Sequence, residues 1–301
     1  MRKGLFVVVV IAVLGAGYLV AQATSSLLFE RELERTLNDL AARGDLHVER
    51  HDVERGWFVS HGEIVLTPRL GEGESWRFEL PYTARHGVLS TRAEGRLVPV
   101  MGEDDSLLFG EWLPVTPPRW HAEYRTLSND LELRVDLVGF QTTEGERLFD
   151  FQGGELLLSG RRDDVRLQAR LGPLDVEQGD DIVQIEPLIL DIRHRLGDDD
   201  HPPHLALDTL RLASPSLGLE VDIVGELRFL GGDWRQFRLS DLENDVRRQH
   251  WRSRLDGHFT WDGPPALVLL QLGLPLSTDV LEVEIEAGEV TINDRPLPSL
   301  H

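Results

Sequence analysis

The chain has 301 residues, no cysteine and a formal net charge of -21. Without cysteine there is no disulfide, thiolate nucleophile or cysteine-ligated zinc. The acidic balance argues against nucleic acid as a partner and against broad contact with anionic lipid headgroups, since both need a basic face.

In chain order the first signal is a membrane segment. Arg2 and Lys3, the latter the sole lysine, precede an uncharged and mostly apolar run over residues 5–20 (LFVVVVIAVLGAGYLV). Carried to residue 23 as a helix, it extends roughly 28 Å, close to the ~30 Å hydrocarbon core of a bilayer. The basic start predicts that residues 1–23 form an anchor with its N-terminus in the cytoplasm, the membrane being a partner through residues 5–23. Two other readings stay open. Ala21-Gln22-Ala23 has the small-x-small form of a signal-peptide cleavage site, and an apolar run can also be a buried core helix.

Residues 24–44 read as an amphipathic, membrane-proximal helix. Phe29, Leu33, Leu37, Leu40 and Ala41 fall on one face, with Glu30, Arg31, Glu34, Arg35 and Asp39 around the rest and Gly44 as the stop. Residues 45–301 then read as a β-rich domain. Strand-like segments at 46–53 and 63–67 are followed by runs that alternate strictly: Leu131, Leu133, Val135, Leu137; Val165, Leu167, Ala169, Leu171; Leu217, Leu219, Val221, Ile223; and Leu281, Val283, Ile285, Ala287. Such alternation marks strands with one buried and one wet face. The expected fold class is therefore mainly β: an extended, curved, mostly antiparallel sheet with few helices, preceded by the transmembrane and amphipathic helices.

Three stretches interrupt the strands. Residues 102–118 read as a long loop or short helix, and residues 197–204 (GDDDHPPH) as an exposed acidic loop. Residues 240–249 open with Ser240-Asp241-Leu242-Glu243, a capping-box form that favours a short helix. After it, Trp251, Ser253, Leu255, Gly257, Phe259 and Trp261 alternate as a strand. Most of the seven tryptophans are expected to be core anchors, because each hides a large apolar area.

Several short elements carry a resemblance. They are Val53-Glu54-Arg55-Gly56-Trp57-Phe58-Val59-Ser60, His86-Gly87-Val88, Phe151-Gln152-Gly153-Gly154-Glu155-Leu156, and Gly288-Glu289-Val290-Thr291-Ile292-Asn293-Asp294. With the N-terminal anchor and charged helix, they make the chain similar to the YdgA-like proteins, a bacterial family catalogued as domain of unknown function 945. The first element resembles the family's Arg-Gly-x-Phe-Ser strand, the second its His-Gly-Pro-Phe turn and the last its closing hairpin. Val88 and Leu89 replace the Pro-Phe pair, Asp294 replaces a glycine, and the chain is shorter than typical members. The resemblance implies a single-pass protein of the bacterial inner membrane with a large periplasmic β-rich domain, and it brings no catalytic residues.

No motif for catalysis emerges. His47 and His51 flank Glu49 in the wrong order for a metalloprotease helix, and on a strand they lie roughly 13 Å apart. Asp198, Asp199, Asp200, His201 and His204 are weak metal candidates, without the glycine and distal glutamate of a calcium loop. Nucleophile elbows and phosphate loops are absent, and no cofactor is implied. The expected role is a non-enzymatic structural or interaction module of the cell envelope, with a lipid or an envelope protein as partner. In its sharper form the module shelters an apolar ligand on the concave face of the sheet. The alternative is a periplasmic hydrolase using paired carboxylates.

Overall fold

The computed structural model describes residues 2–42, 46–69, 76–102, 104–161, 164–179, 181–195, 197, 202–231 and 245–296, with side chains from residue 22 onward except at 245. Up to residue 21, the expected membrane segment lies outside the described side chains. Among the described residues no helix is long and apolar enough to cross a membrane. Gly44, the capping box at 240–243 and the metal candidates Asp198, Asp199, Asp200 and His201 also lie outside the described residues.

The protein is mainly β, built of antiparallel strand pairs, with three α-helices among the described residues. Two compact units divide it: Met1–Leu108 with Arg119–Leu133, and Phe109–Pro118 with Arg134–His301.

Among the described residues the first unit holds one unbroken helix, α1 (Arg2–Ala42), seven whole strands and the start of an eighth. The seven are β1 (Leu46–Glu54), β2 (Val59–Pro68), β3 (Trp76–His86), β4 (Ser90–Arg96), β5 (Val98–Met101), β6 (Ser106–Leu107) and β7 (Arg119–Arg125). β2 lies between β1 and β3. The second half of β3 pairs with β4 and its first half with β5; β4 in turn carries β7. Tyr82, Ala84, Ala93, Val100 and Trp120 form the apolar core. Arg55 to Phe58 do not extend the strand: β1 ends at Glu54, a loop intervenes, and β2 starts at Val59. Residues 102–118 contain β6, turns and a bridge between Phe109 and Leu113, and no helix among those described.

Beyond β8 (Asp130–Leu137), the second unit has two sheets. The smaller has the order β14-β13-β10-β9, from β9 (Phe140–Glu144), β10 (Arg147–Phe151), β13 (Leu174–Gln178) and β14 (Asp181–Ile185). The larger runs as a meander through β11 (Gly154–Arg161), β12 (Asp164–Leu171), β15 (Leu188–Arg195), β16 (His204–Ser214), β17 (Leu219–Phe229), β18 (Leu255–Asp262), β19 (Val280–Glu286) and β20 (Glu289–Ile292). β10 leads directly into β11, and β12 into β13, and the crossing point is the Gly153-Gly154 element. Gly153 has φ 85°, and a Cβ there would lie 2.6 Å from the Leu137 carbonyl, so a side chain is excluded on both counts. Gly172 N–H donates to the Gly153 carbonyl at 2.6 Å and Gln152 N–H to the Pro173 carbonyl at 3.0 Å, which holds the corner.

Three expectations need correction. Trp251 lies in α2 (Asp245–Arg252) and Ser253 in the turn after it, so β18 starts only at Leu255. Leu217 belongs to a single 3-10 turn, and Ala287 sits at φ 48° in the β19–β20 turn. Of the described tryptophans only Trp120 is buried, whereas Trp57, Trp76 and Trp112 are exposed. Their loop and strand-end positions place them at the surface, where size alone brings no burial.

Candidate functional site

Two constellations stand out, one in each unit. In the first, α1 docks on the sheet through polar side chains. Gln22, Ser25, Ser26 and Glu30 are all buried. They are spaced along one helix face, which continues into the half-buried Phe29, Leu33, Leu37 and Leu40. The apolar stripe read from the sequence is thus the lower part of the docked face; Ala41 is exposed, and Glu30, assigned to the wet side, is buried.

Each docking contact reaches a loop or strand end. Gln22 Nε2 donates to the His86 carbonyl, Ser25 Oγ lies 3.3 Å from Thr126 Oγ1, and Ser26 Oγ donates to the Gly56 carbonyl at 2.9 Å. Beneath them the His86 imidazole is buried between two hydroxyls, with Nε2 2.8 Å from Ser60 Oγ and Nδ1 3.1 Å from Thr91 Oγ1. A neutral ring donates at one nitrogen and accepts at the other, so both are satisfied. Burial pushes the His86 pKa below its usual range, against a weaker opposing pull from Glu30. Phe29 covers the ring with centroids 5.5 Å apart.

One helical turn along, Arg50 Nη2 donates to Glu30 Oε2 at 2.8 Å, and its Nε to the Tyr82 hydroxyl at 3.1 Å. Burial works against the Arg50 charge, but bonds to Tyr82 and Glu30 together hold its pKa above the ordinary value. Burial likewise raises the Tyr82 phenol. Arg55 adds a second cation 3.5 Å from the same carboxylate oxygen.

The Ser60–His86 distance matches a nucleophile and its base. Ser60 has no exposed surface, however, and His86 and Thr91 are buried with it. No substrate atom reaches Ser60 Oγ while α1 is in place, so the arrangement is a docking clasp.

In the second unit the register of the large sheet aligns one apolar face from β11 to β20. Leu158, Leu167 and Ile192 are successive partners, as are Leu156, Ala169, Leu190, Leu210, Ile223, Trp261 and Leu281. Another row joins Phe259, Val283 and Ile292. At one end α3 (Ala266–Gln271) closes this face: Leu269, Leu274 and Leu281 form a buried cluster with Trp261, Val268, Leu272 and Ile292 against it. Elsewhere on the face burial is partial; among the residues named in these rows only Ala169 and Leu281 are fully buried. The opposite face is a ladder of ion pairs, Arg166–Asp191 at 2.6 Å, Arg193–Asp208 at 2.5 Å and Arg211–Asp222 at 2.8 Å.

The weak metal candidates gain little from the geometry. His204, the one described member of the acidic-loop set, bonds Glu226 Oε2 at 3.1 Å through Nε2. His47 and His51 each contact Glu49, at 3.0 and 3.2 Å, on an exposed strand face. Among the described residues no group of three ligand-type side chains is arranged to hold a metal ion. Among the described residues the carboxyl groups with displaced pKa values, Glu49, Asp191 and Glu226, all move down, under hydrogen bonds first from His47, Arg166 and His204 respectively. Downward shifts keep a carboxylate charged and do not suit a general acid.

Periodicity could not reveal the clasp, because its members come from α1, β2, β3 and β4. Its only outward signals were the Arg-Gly-x-Phe and His-Gly elements, which turn out to be the loops that α1 grips. The model of a family described as bacterial protein of unknown function (DUF945) matches residues 1–260. No curated protein and no solved structure matches the chain.

Proposed function

The chain belongs to the DUF945 family of bacterial proteins, and we propose that it is a non-enzymatic, membrane-anchored envelope protein whose second unit shelters an acyl chain or similar apolar ligand. The inner membrane holds it through residues 5–23, and its β units lie in the periplasm. The observation that carries the ligand reading is the apolar sheet face, in which residue after residue from β11 to β19 is only partly buried. Apolar side chains left in partial contact with water gain roughly 25 cal/mol for each Å² that a lipid tail covers. The ion-pair ladder on the other face keeps that side wet and gives the sheet a single apolar side.

Quantitative mass spectrometry of co-purifying lipid tests the reading. The full chain is compared with residues 1–44 fused to an unrelated acidic domain, which subtracts lipid held by the anchor. One or more additional lipids per full chain support the proposal. Equal lipid content in the two proteins contradicts it and leaves a partner-binding role.

A further inference from the structure

The three loops gripped by α1 all carry exposed apolar side chains. The β1–β2 loop has Trp57 and Phe58, the β3–β4 turn has Leu89, and the turn after β7 has Leu127, which is 82% exposed. On α1 itself Leu27 and Leu28 are exposed beside them. Backbone bonds tie these loops into one end of the first unit: His86 N–H donates to the Phe58 carbonyl at 2.7 Å and Thr126 N–H to the Leu89 carbonyl at 3.0 Å. The helix contacts these loops at Gln22, Ser25 and Ser26, little more than one turn.

The direction of α1 follows from its partners. Residue 22 meets His86 at the end of β3, and Glu30 lies by Arg50, whose guanidinium bonds Tyr82, four residues inside that strand. Eight helical residues rise about 12 Å and four strand residues about 13 Å, so the helix runs along β3 in the opposite sense. Going backward from Gln22, the helix therefore runs away from Tyr82 and toward the loop end of the unit. The apolar run of residues 5–20 begins two residues beyond that point.

We infer that this loop end of the first unit is a lipid-facing surface: Trp57, Phe58, Leu89 and Leu127, with Leu27 and Leu28, seat in the bilayer interface around the emerging helix. The occupant is a phospholipid bilayer because the surface is continuous in the chain with the uncharged, mostly apolar run of residues 5–20; this rests on the anchor reading above. A tryptophan at such a level suits the interface, where an apolar ring and a polar N–H are both accommodated. Arg55, Arg85 and Arg125 lie on the same loop or strand ends and are more than half exposed, placing positive charge at phosphate level in an otherwise acidic chain. Arg85 and Arg125 also pair with Glu94 and Glu132, at 3.3 and 4.0 Å.

The absence of native cysteine makes the test clean. Full-length Trp57→Cys, Leu89→Cys and Leu127→Cys variants, each bearing an environment-sensitive fluorophore, are reconstituted in phosphatidylethanolamine/phosphatidylglycerol vesicles containing lipids with a quencher near the top of the acyl chain. Val13→Cys reports on the anchor, and Asp104→Cys, beside the Arg77–Asp105 pair at the far end of β3, reports on a surface away from lipid. The inference expects loss of most fluorescence at 57, 89 and 127, as at 13, with little loss at 104. Quenching at 13 alone overturns the lipid-facing surface while keeping the anchor. No quenching at 13 overturns the anchor and the surface with it. Protection at 57, 89 and 127 that is lost on dilution to one chain per vesicle assigns the surface to a second copy of the chain and overturns the lipid reading.

Discussion

Arg50 ties α1 to the sheet of the first unit through two side chains, Glu30 and Tyr82. Its guanidinium bonds one oxygen of the buried Glu30 carboxylate and the Tyr82 hydroxyl, so its removal leaves that carboxylate with only the more distant and exposed Arg55 beside it. Breaking a buried pair from one side costs about 3–5 kcal/mol. Arg50→Ala is therefore expected to lower the unfolding free energy of the full chain in micelles by about 3 kcal/mol, the low end of that range because the guanidinium edge is partly wet. A change under about 1 kcal/mol on denaturant titration, the size of an exposed pair, would show that α1 docks without this contact.

His86 gives the first unit a pH dependence whose sign is fixed by its burial. In the unfolded chain it titrates near 6.5, and in the folded unit its pKa is lower. Below the unfolded pKa the unfolded chain thus binds more protons than the folded one. The stability contributed by neutral His86 is fully present above pH ~6.5 and is lost as pH falls through that value toward the folded pKa. The neighbouring groups Ser60, Thr91 and Phe29 carry no charge, and Glu30 on α1 opposes the shift only weakly. Thermal unfolding of the full chain, measured about one pH unit above and one below 6.5, should show a fall in acid that His86→Gln reduces. An equal fall in both proteins would mean that other groups set the pH dependence.

Among the elements, alternation was the most legible feature. Leu167, Ala169 and Leu171 on β12 or Val283 and Ile285 on β19 announce a one-sided strand, and the register then stacks such rows into one face. Helix α1 was legible only in part. Its docked face is apolar at Phe29, Leu33 and Leu37 but polar at Gln22, Ser25, Ser26 and Glu30, and a periodicity rule reads polar residues as wet. What reverses that reading is a set of partners far along the chain, Gly56, His86 and Thr126 among them.

The apolar face has its own packing constraint where β17 meets β18. Gly225 stands opposite Phe259, and a Cβ there would come within 2.3 Å of the ring and 2.5 Å of the His258 carbonyl. The backbone oxygen cannot swing away, so Gly225→Ala overpacks the site and should cost about 1–3 kcal/mol. Hydrogen exchange would read it as faster exchange across β17 and β18, with β1–β4 unchanged; uniform exchange in both variants would mean that the sheet relaxes around the methyl group.

For the protein as a whole, a polar clasp fixes the helix to the first unit, and an apolar face without full burial crosses the second. Residues 1–23 give an expectation of where the chain sits. Whether it holds a ligand is not legible there, because a ligand face depends on which of two sheet sides stays uncovered, and both a packed core and a lipid shelter require the same alternation. Placing a photo-crosslinking phenylalanine analogue at Ile223 and, in a second protein, at Val224 separates these most directly. The two residues are adjacent on β17 and face opposite sides of the sheet. After irradiation of the full chain in native membranes, a lipid shelter predicts lipid adducts at 223 and none at 224. Adducts to protein alone at 223, or equal lipid labelling at both positions, would contradict it.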